Sequence, residues 1–343
     1  MVSVKDVTRV AIGAAVWVAL ASATSAAINI ETVPVGYTGN TGEGSGMSYG
    51  GSGLDRICGA VDYQFNIGKY EVTAGQYTAF LNSVAVTDTH GLYNTDMWSS
   101  AYGCKIERTN TGSGYSYNVA SDWANRPVNY VSWGDAARFA NWLHNGQPTR
   151  AQDADSTEDG AYFLNGATSD AALMAVTREP DATWAIASED EWYKAAYHKN
   201  DGDTGNYFDY PTGNDTVPSN DLVDPDPGNN ANFFDGDSTL GTPWWRTPVG
   251  EFESSESPYD TFDQGGNACE WNEAILYDSL RGLRGGSFVH LAVLLHAASR
   301  NFGYAPSTEG YAVGFRVSEV PEPATLALLA LGGVGLLMRQ RRR

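Results

Sequence analysis

Apolar positions along this chain fall into a few short periodic runs separated by long polar stretches. Three runs read as helices. Tyr77, Phe80, Leu81 and Val84 stand at i, i+3, i+4 and i+7 behind Thr73-x-x-Gln76. Ala136, Phe139, Ala140 and Leu143 repeat that spacing behind Ser132-x-x-Asp135, and Trp192, Ala195 and Ala196 follow Ser188-x-x-Glu191. Each run pairs a hydroxyl cap and a reciprocating acid or amide with one apolar face, which is the signature of a helix start. Strand signals are shorter, at residues 63–67, Trp184–Ile186 and residues 314–317. The remainder is rich in Gly, Asn, Asp and Pro, and the Gly- and Ser-rich residues 35–55 read as a loose lead-in. No repeat of fixed period is visible. The pattern predicts an irregular α+β domain with long ordered loops. It excludes a doubly wound sheet, and no phosphate-cradling glycine motif follows a strand.

The two ends read differently from the body. Lys5 and Arg9 precede an apolar run over residues 10–20 and small residues at 21–27. That is the layout of a secretory signal peptide cleaved after Ala26 or Ala27. The other reading, an N-terminal anchor, needs a longer run to cross a hydrocarbon layer of roughly 30 Å. At the other end, Val320-Pro321-Glu322-Pro323-Ala324 leads into an apolar stretch from 326 to 338, closed by Arg339 and Arg341 to Arg343. The basic cluster favours the cytoplasmic side, and the apolar run is short of the roughly 20 residues of a stable span. Motif, helix and basic tail together resemble the PEP-CTERM sorting signal. The resemblance implies an exosortase-type processing enzyme as partner and transient membrane association through the tail. It also implies a working place at the cell surface or in an exopolysaccharide matrix. A plain C-terminal anchor is the alternative.

Composition narrows the partners. Charged residues make up 18% of the 343 and aromatics 12%, with a net charge of -20. The acidity comes from scarce Lys and Arg, so the chain is not a disordered polyelectrolyte. Nucleic acid is excluded as a partner for want of a basic face. Cations and neutral ligands such as glycans remain. Because both ends are basic, the body is more acidic than the whole. Three cysteines are present, and an exported chain permits disulfides. Cys58 and Cys104, both in glycine-rich segments of the N-terminal half, are the candidate pair. No cysteine spacing suits zinc or a redox CxxC pair.

The blocks of the body, in order, resemble the formylglycine-generating enzyme family, also called sulfatase-modifying factors. "FNIGKYEVTAGQYTAFLN" (65–82) and "RPVNYVSWGDAARFANWL" (126–143) are similar to its first two helix blocks. "WAIASEDEWYKAAY" (184–197) resembles its LPTEAEWE block, with Ala187 where Pro is usual. "TPVGEF" (247–252), "FDQGGNACEW" (262–271), "LRGGSF" (283–288) and "GFRV" (314–317) complete it. The implied organisation is a signal peptide over 1–26, a lead-in over 27–59, the enzyme-like domain over 60–318 and the sorting tail over 320–343. The implied fold is a C-type-lectin-like core with long ordered loops, often steadied by calcium.

The family's oxidase uses two copper-binding cysteines after its GGS motif. Cu(I) demands such soft thiolates. Here those positions fall on His290 and Leu295, and no cysteine follows Cys269. No copper is therefore expected, and the chain reads as catalytically dead or repurposed. His290 and His296, six apart with no carboxylate between, make a poor metal pair. Calcium is the better cofactor case, and hard oxygen donors suit it. By family position one site would take Asp263, the carbonyls of Gly266 and Ala268, and Glu270. A second would draw on Asn232 and Phe233 with Asp235 or Asp237. Two EF-hand-like starts, at Asp201 and Asp224, lack the required glycine or closing carboxylate. Cys269 stands where the family has Trp and reads as a small buried hydrophobe rather than a reactive thiol. Trp244, Trp245, Tyr207 and Tyr210 lie in loops, where they either pack or stack on sugar rings. The expected function is a noncatalytic, exported binding or structural protein with a glycan or extracellular protein ligand. Its rivals are a repurposed enzyme of the same fold and a partner that binds sulfatases.

Overall fold

The computed structural model describes residues 27–45, 56–300 and 303–320. The signal peptide and sorting tail lie outside these. The three capped helices form where the pattern places them: α1 (Ala74–Val84), α3 (Trp133–His144) and α5 (Glu189–Tyr197), with the short α2 (Asp96–Ser99) and α4 (Asp170–Met174) between. Each of the three carries a complete capping box; Gln76 N donates to Thr73 Oγ1 at 3.2 Å while Thr73 N donates to Gln76 Oε1 at 2.9 Å. Such a cap contributes about 1 kcal/mol.

Two four-stranded sheets and two hairpins complete the fold. The first sheet is antiparallel and runs β1 (Thr32–Val35), β4 (Phe65–Gly68), β12 (Val317–Glu319), β7 (Trp184–Ile186). The second runs β10 (Gly303–Tyr304), β9 (Leu280–Arg284), β8 (Cys269–Leu276), β11 (Val313–Phe315), with β11 parallel to β8. The hairpins pair β2 (Glu43–Ser45) with β3 (Arg56–Cys58), and β5 (Ile106–Asn110) with β6 (Tyr115–Val119). Only Arg316 separates β11 from β12, so the chain steps from one sheet to the other through that residue. Residues 198–268 hold no helix or strand, so the long loops are as expected.

Two expectations need correction. The Gly- and Ser-rich 35–55 is not loose throughout, since β2 within it pairs with β3; just ahead of it β1 forms the edge of the first sheet, with Val33 and Val35 buried because they alternate with Pro34 across the strand. Cys58 and Cys104 are not paired. Both are free and buried, Cys58 in the cluster around α5 and Cys104 in the cluster around α1 and α3. A disulfide needs Cα atoms within about 7 Å, and separate cores do not provide that. Cys58 Sγ instead lies 3.5 Å from Arg284 Nη2, and Cys104 Sγ 3.9 Å from the Asn129 carbonyl.

The larger core is aromatic. Phe80, Phe139 and Trp142 meet between α1 and α3, and Phe315 of β11 closes on Phe139 edge-to-face at 5.3 Å. Pairs of this kind add about 0.5–1.5 kcal/mol beyond their buried area.

Candidate functional site

The GGS turn follows β9. Gly285 and Gly286 both take left-handed backbone, and a Cβ on Gly285 would stand 2.4 Å from the Gln264 carbonyl. Only glycine meets both demands. Beyond the turn, His290 Nδ1 lies 2.8 Å from Ser287 Oγ and 3.5 Å from Cys269 Sγ. Burial pushes the Cys269 thiol well above its usual range and pulls the His290 imidazole below its own. Both are therefore neutral, the reverse of an activated thiolate–imidazolium couple. Leu295 is fully buried against Tyr210, Ala231 and Phe233. An apolar knob thus occupies the second thiol position. His296 turns away and faces Asp209 at 3.6 Å.

Of the residues expected to hold calcium, the two carboxylates already have partners within the protein. Arg316 Nε and Nη2 donate to Glu270 Oε2 and Oε1 at 2.6 and 2.7 Å, and Trp192 Nε1 donates to Oε2 at 2.7 Å. Both residues of this ion pair are fully buried, so Glu270 serves as the counter-ion of Arg316. Asp263 Oδ2 accepts from the Gly250 amide at 2.6 Å. Gly266 takes left-handed backbone, and a Cβ there would meet the Asn232 carbonyl at 2.3 Å, so both demands call for glycine. The Ala268 amide donates to Glu71 Oε1 at 3.1 Å.

Glu71 is the acid that the sequence did not point to. Burial, with Asp263 and Glu270 nearby, raises its carboxyl well above the ordinary glutamate value. At the second expected site, Asn232 donates to the Trp245 carbonyl and to Asn267 Oδ1, leaving its own Oδ1 buried and unpartnered. The Phe233 carbonyl accepts from Asn220 and Thr239, while Asp235 and Asp237 are exposed. Among the described residues no group of three or more His, Cys, Asp or Glu stands ready for a metal ion. A calcium ion at the first site would have to share Glu270 with Arg316. The acidic loop has its own explanation: Asp226 accepts from the amides of Gly228 and Ser254 and from the side chains of Asn230 and Ser255, which pins the loop without a cation.

A different surface emerges beside the GGS turn. Tyr102 meets the rings of Trp245 and Tyr311 at 5.1 Å each and of Phe288 at 5.9 Å. Trp244 and Tyr311 are exposed, Tyr102 and Trp245 half-buried, Phe288 enclosed. Asn129, wholly buried just ahead of α3, binds the carbonyls of both Tyr102 and Tyr311 and so fixes the two loops together. Asn267 does the same on the other side, since its Oδ1 accepts from Thr247 N and Asn232 Nδ2. Trp244 Nε1 reaches Asp122 at 3.3 Å, and Arg126 lies 5.8 Å from its ring. Beneath the patch sits Arg246, fully buried, whose guanidinium burial lowers to about 10. Of the four aromatics proposed from sequence, Trp244 and Trp245 belong here. Tyr207 and Tyr210 are core residues, Tyr207 accepting from Asn40 and donating to the Gly59 carbonyl. Tyr102 and Tyr311 gave no sequence signal, because their partnership spans two loops far apart in the chain.

Comparison with known proteins fits this geometry. Among solved structures, Treponema denticola variable protein 1 superposes with a TM-score of 0.52 at 17% identity, over 87% of this chain and 98% of that one. That likeness shows the fold. CarF gives 0.49 at 18% identity (86% and 99% covered) and PvdO from Pseudomonas aeruginosa 0.47 at 18% (84% and 94%). No curated protein matches the chain. The PEP-CTERM protein-sorting motif matches residues 319–343, which marks the protein for export and a cell-surface or extracellular location. A family model described as the sulfatase-modifying factor enzyme 1-like domain matches residues 60–320. Because that match takes in the second sheet, three of the four strands of the first, α1 to α5 and the GGS turn, the chain belongs to the sulfatase-modifying factor enzyme 1-like domain family.

Proposed function

We propose that this exported protein is a noncatalytic binding member of its family, holding a saccharide at the cell surface or in the surrounding matrix. The observation that carries the reading is the partly exposed patch of Tyr102, Trp244, Trp245 and Tyr311, set beside a GGS turn whose two thiol positions are His290 and Leu295. Stacking on sugar rings needs flat, rigid, half-exposed aromatic faces, and such faces cost little conformational entropy. Thiolate copper chemistry lacks its ligands here. The rival enzyme reading has one observation behind it, the Cys269–His290–Ser287 contact, and the neutral state of both thiol and imidazole weighs against it.

The exported protein, passed over immobilised cell-surface polysaccharides with and without chelator, is expected to be retained in both conditions. Trp245→Ala should weaken retention about tenfold, equivalent to about 1.4 kcal/mol. Absence of retention on every polysaccharide tried refutes the proposal. Stoichiometric transition metal that is lost in His290→Ala supports the enzyme instead.

A further inference from the structure

Arg246 is buried without an ion pair among the described residues. Its Nη1 donates to the Tyr102 carbonyl at 2.9 Å, while Nε and Nη2 meet no acceptor. The indole Nε1 of Trp245, one residue away, is also buried without an acceptor. Two rings lie near the guanidinium, Phe288 at 5.7 Å and Trp123 at 6.0 Å from its central carbon, and the Glu71 carboxyl acts on it without forming an ion pair. Ring faces attract the cation but do not satisfy its N–H groups. Arg281 makes a useful contrast. It too lacks a carboxylate, yet it donates to the carbonyls of Glu273, Leu173 and Val176 and lies 3.9 Å from the Trp133 centroid. Arg246 has one carbonyl and two open nitrogens, where Arg281 has three carbonyls and only Nε open.

The open edge has a definite shape. Nε and Nη2 form the side-on fork of arginine, which matches the two oxygens of a planar carboxylate. A second cation stands close by: Arg126 donates to the Arg246 carbonyl and lies 5.8 Å from both Trp123 and Trp244. Buried polar groups are nearly always satisfied, so a charged fork left open is a place where a ligand completes the structure.

We infer that the Nε–Nη2 edge of Arg246, with Trp245 Nε1 as a further donor nearby, receives a carboxylate carried by the ligand of the aromatic patch, which makes that ligand an acidic saccharide of the uronic acid class. The inference rests on the saccharide reading above. Arg246 is fully buried beside the half-buried Trp245, so that ring has to move when the carboxylate binds. That residue already sits on left-handed backbone at φ 57°, which an aromatic side chain rarely adopts. The chain's net charge of -20 opposes a long polyanion, but screening beyond about 8 Å leaves a short oligosaccharide free to dock.

Calorimetric titration of the exported protein at physiological ionic strength tests this, using trigalacturonate, its neutral methyl ester and inorganic sulfate. The acid is expected to bind at least tenfold tighter than the ester, and sulfate weakly. Arg246→Met should abolish the preference for acid over ester, keep the ester affinity, and unfold at the same or a higher temperature, because it removes an unpaired buried charge. Arg246→Lys, which keeps the charge and loses the fork, should lose most of the preference and serves if the methionine variant does not fold. Equal binding of acid and ester, a preference that survives in Arg246→Met, or tighter binding of sulfate overturns the inference. If neutral saccharides still bind in those cases, the patch stands as a saccharide site and only the carboxylate assignment falls. If neither acid, ester nor any neutral polysaccharide binds, the saccharide reading falls with it.

Discussion

Changing Asp263 to Asn separates a cation site from a strained carboxylate. Burial lifts the Asp263 carboxyl from the ordinary aspartate value of 3.8 to about 6, with the neighbouring Glu270 adding to the rise. The folded protein therefore holds a proton there more tightly than the unfolded chain. The associated stability is full below pH 4 and is lost as pH rises from about 4 to 6, after which it stays lost. At about 1.4 kcal/mol per pH unit the ceiling is about 3 kcal/mol. Asp263 is half-buried, so solvent screening trims this to about 1–2 kcal/mol. Asn keeps an oxygen for the Gly250 amide and tolerates the left-handed backbone at φ 60°. Asp263→Asn should therefore stabilise the protein by about 1–2 kcal/mol at pH 7 and by nothing at pH 3. Urea midpoints across that range, in chelator, measure it. A variant less stable than the parent at pH 7 in chelator refutes the burial argument. A loss seen only with calcium present would reveal a cation at Asp263.

Two further outcomes follow from groups already described. Glu270→Gln and Arg316→Met should each cost about 3–5 kcal/mol in denaturant unfolding, because each strands a buried charge or leaves its donors unmet, and the double variant should cost clearly less than the sum. Additive effects would mean that the pair is not the unit. Thiol titration should find Cys58, Cys104 and Cys269 unreactive in the folded protein and all three reactive once unfolded. A shift in gel mobility between reduced and oxidised samples would contradict the free thiols.

The helices were legible because a capping box and an apolar face are both local. β8 was not: its sequence, CEWNEAIL, neither alternates nor runs apolar, yet seven of its eight positions are buried or nearly so. It can be buried only because Arg316 and Arg178, distant in the chain, neutralise Glu270 and Glu273. The candidate site divides in the same way. His290 and Leu295 stand where the resemblance puts a thiol pair, and no pattern in the residues themselves marks those positions. The disulfide expectation failed because composition says nothing about which core a cysteine joins. The patch of Tyr102 and Tyr311 depends on Asn129 clamping two loops, and no periodicity records such a clamp.

The placement of arginine follows a rule with one exception. Arg138 pairs with Glu158, Arg178 with Glu191 and Glu273, Arg284 and Arg300 with Glu189, and Arg316 with Glu270. Most of these residues are buried, so scarce cations lie inside as counter-ions and acids outnumber bases outside. These five arginines and five glutamates cancel, so the net charge of -20 is carried by the remaining residues. Buried pairs of this kind add little net stability but are costly to break, which holds the sheets and loops to one arrangement. Against that rule, Arg246 is a buried arginine with neither a carboxylate nor a full set of carbonyls, and it lies under the aromatic patch. Among the described residues the other buried arginines meet carboxylates or more than one carbonyl, so two open nitrogens on one guanidinium set Arg246 apart, and that is why an anion from outside is sought there.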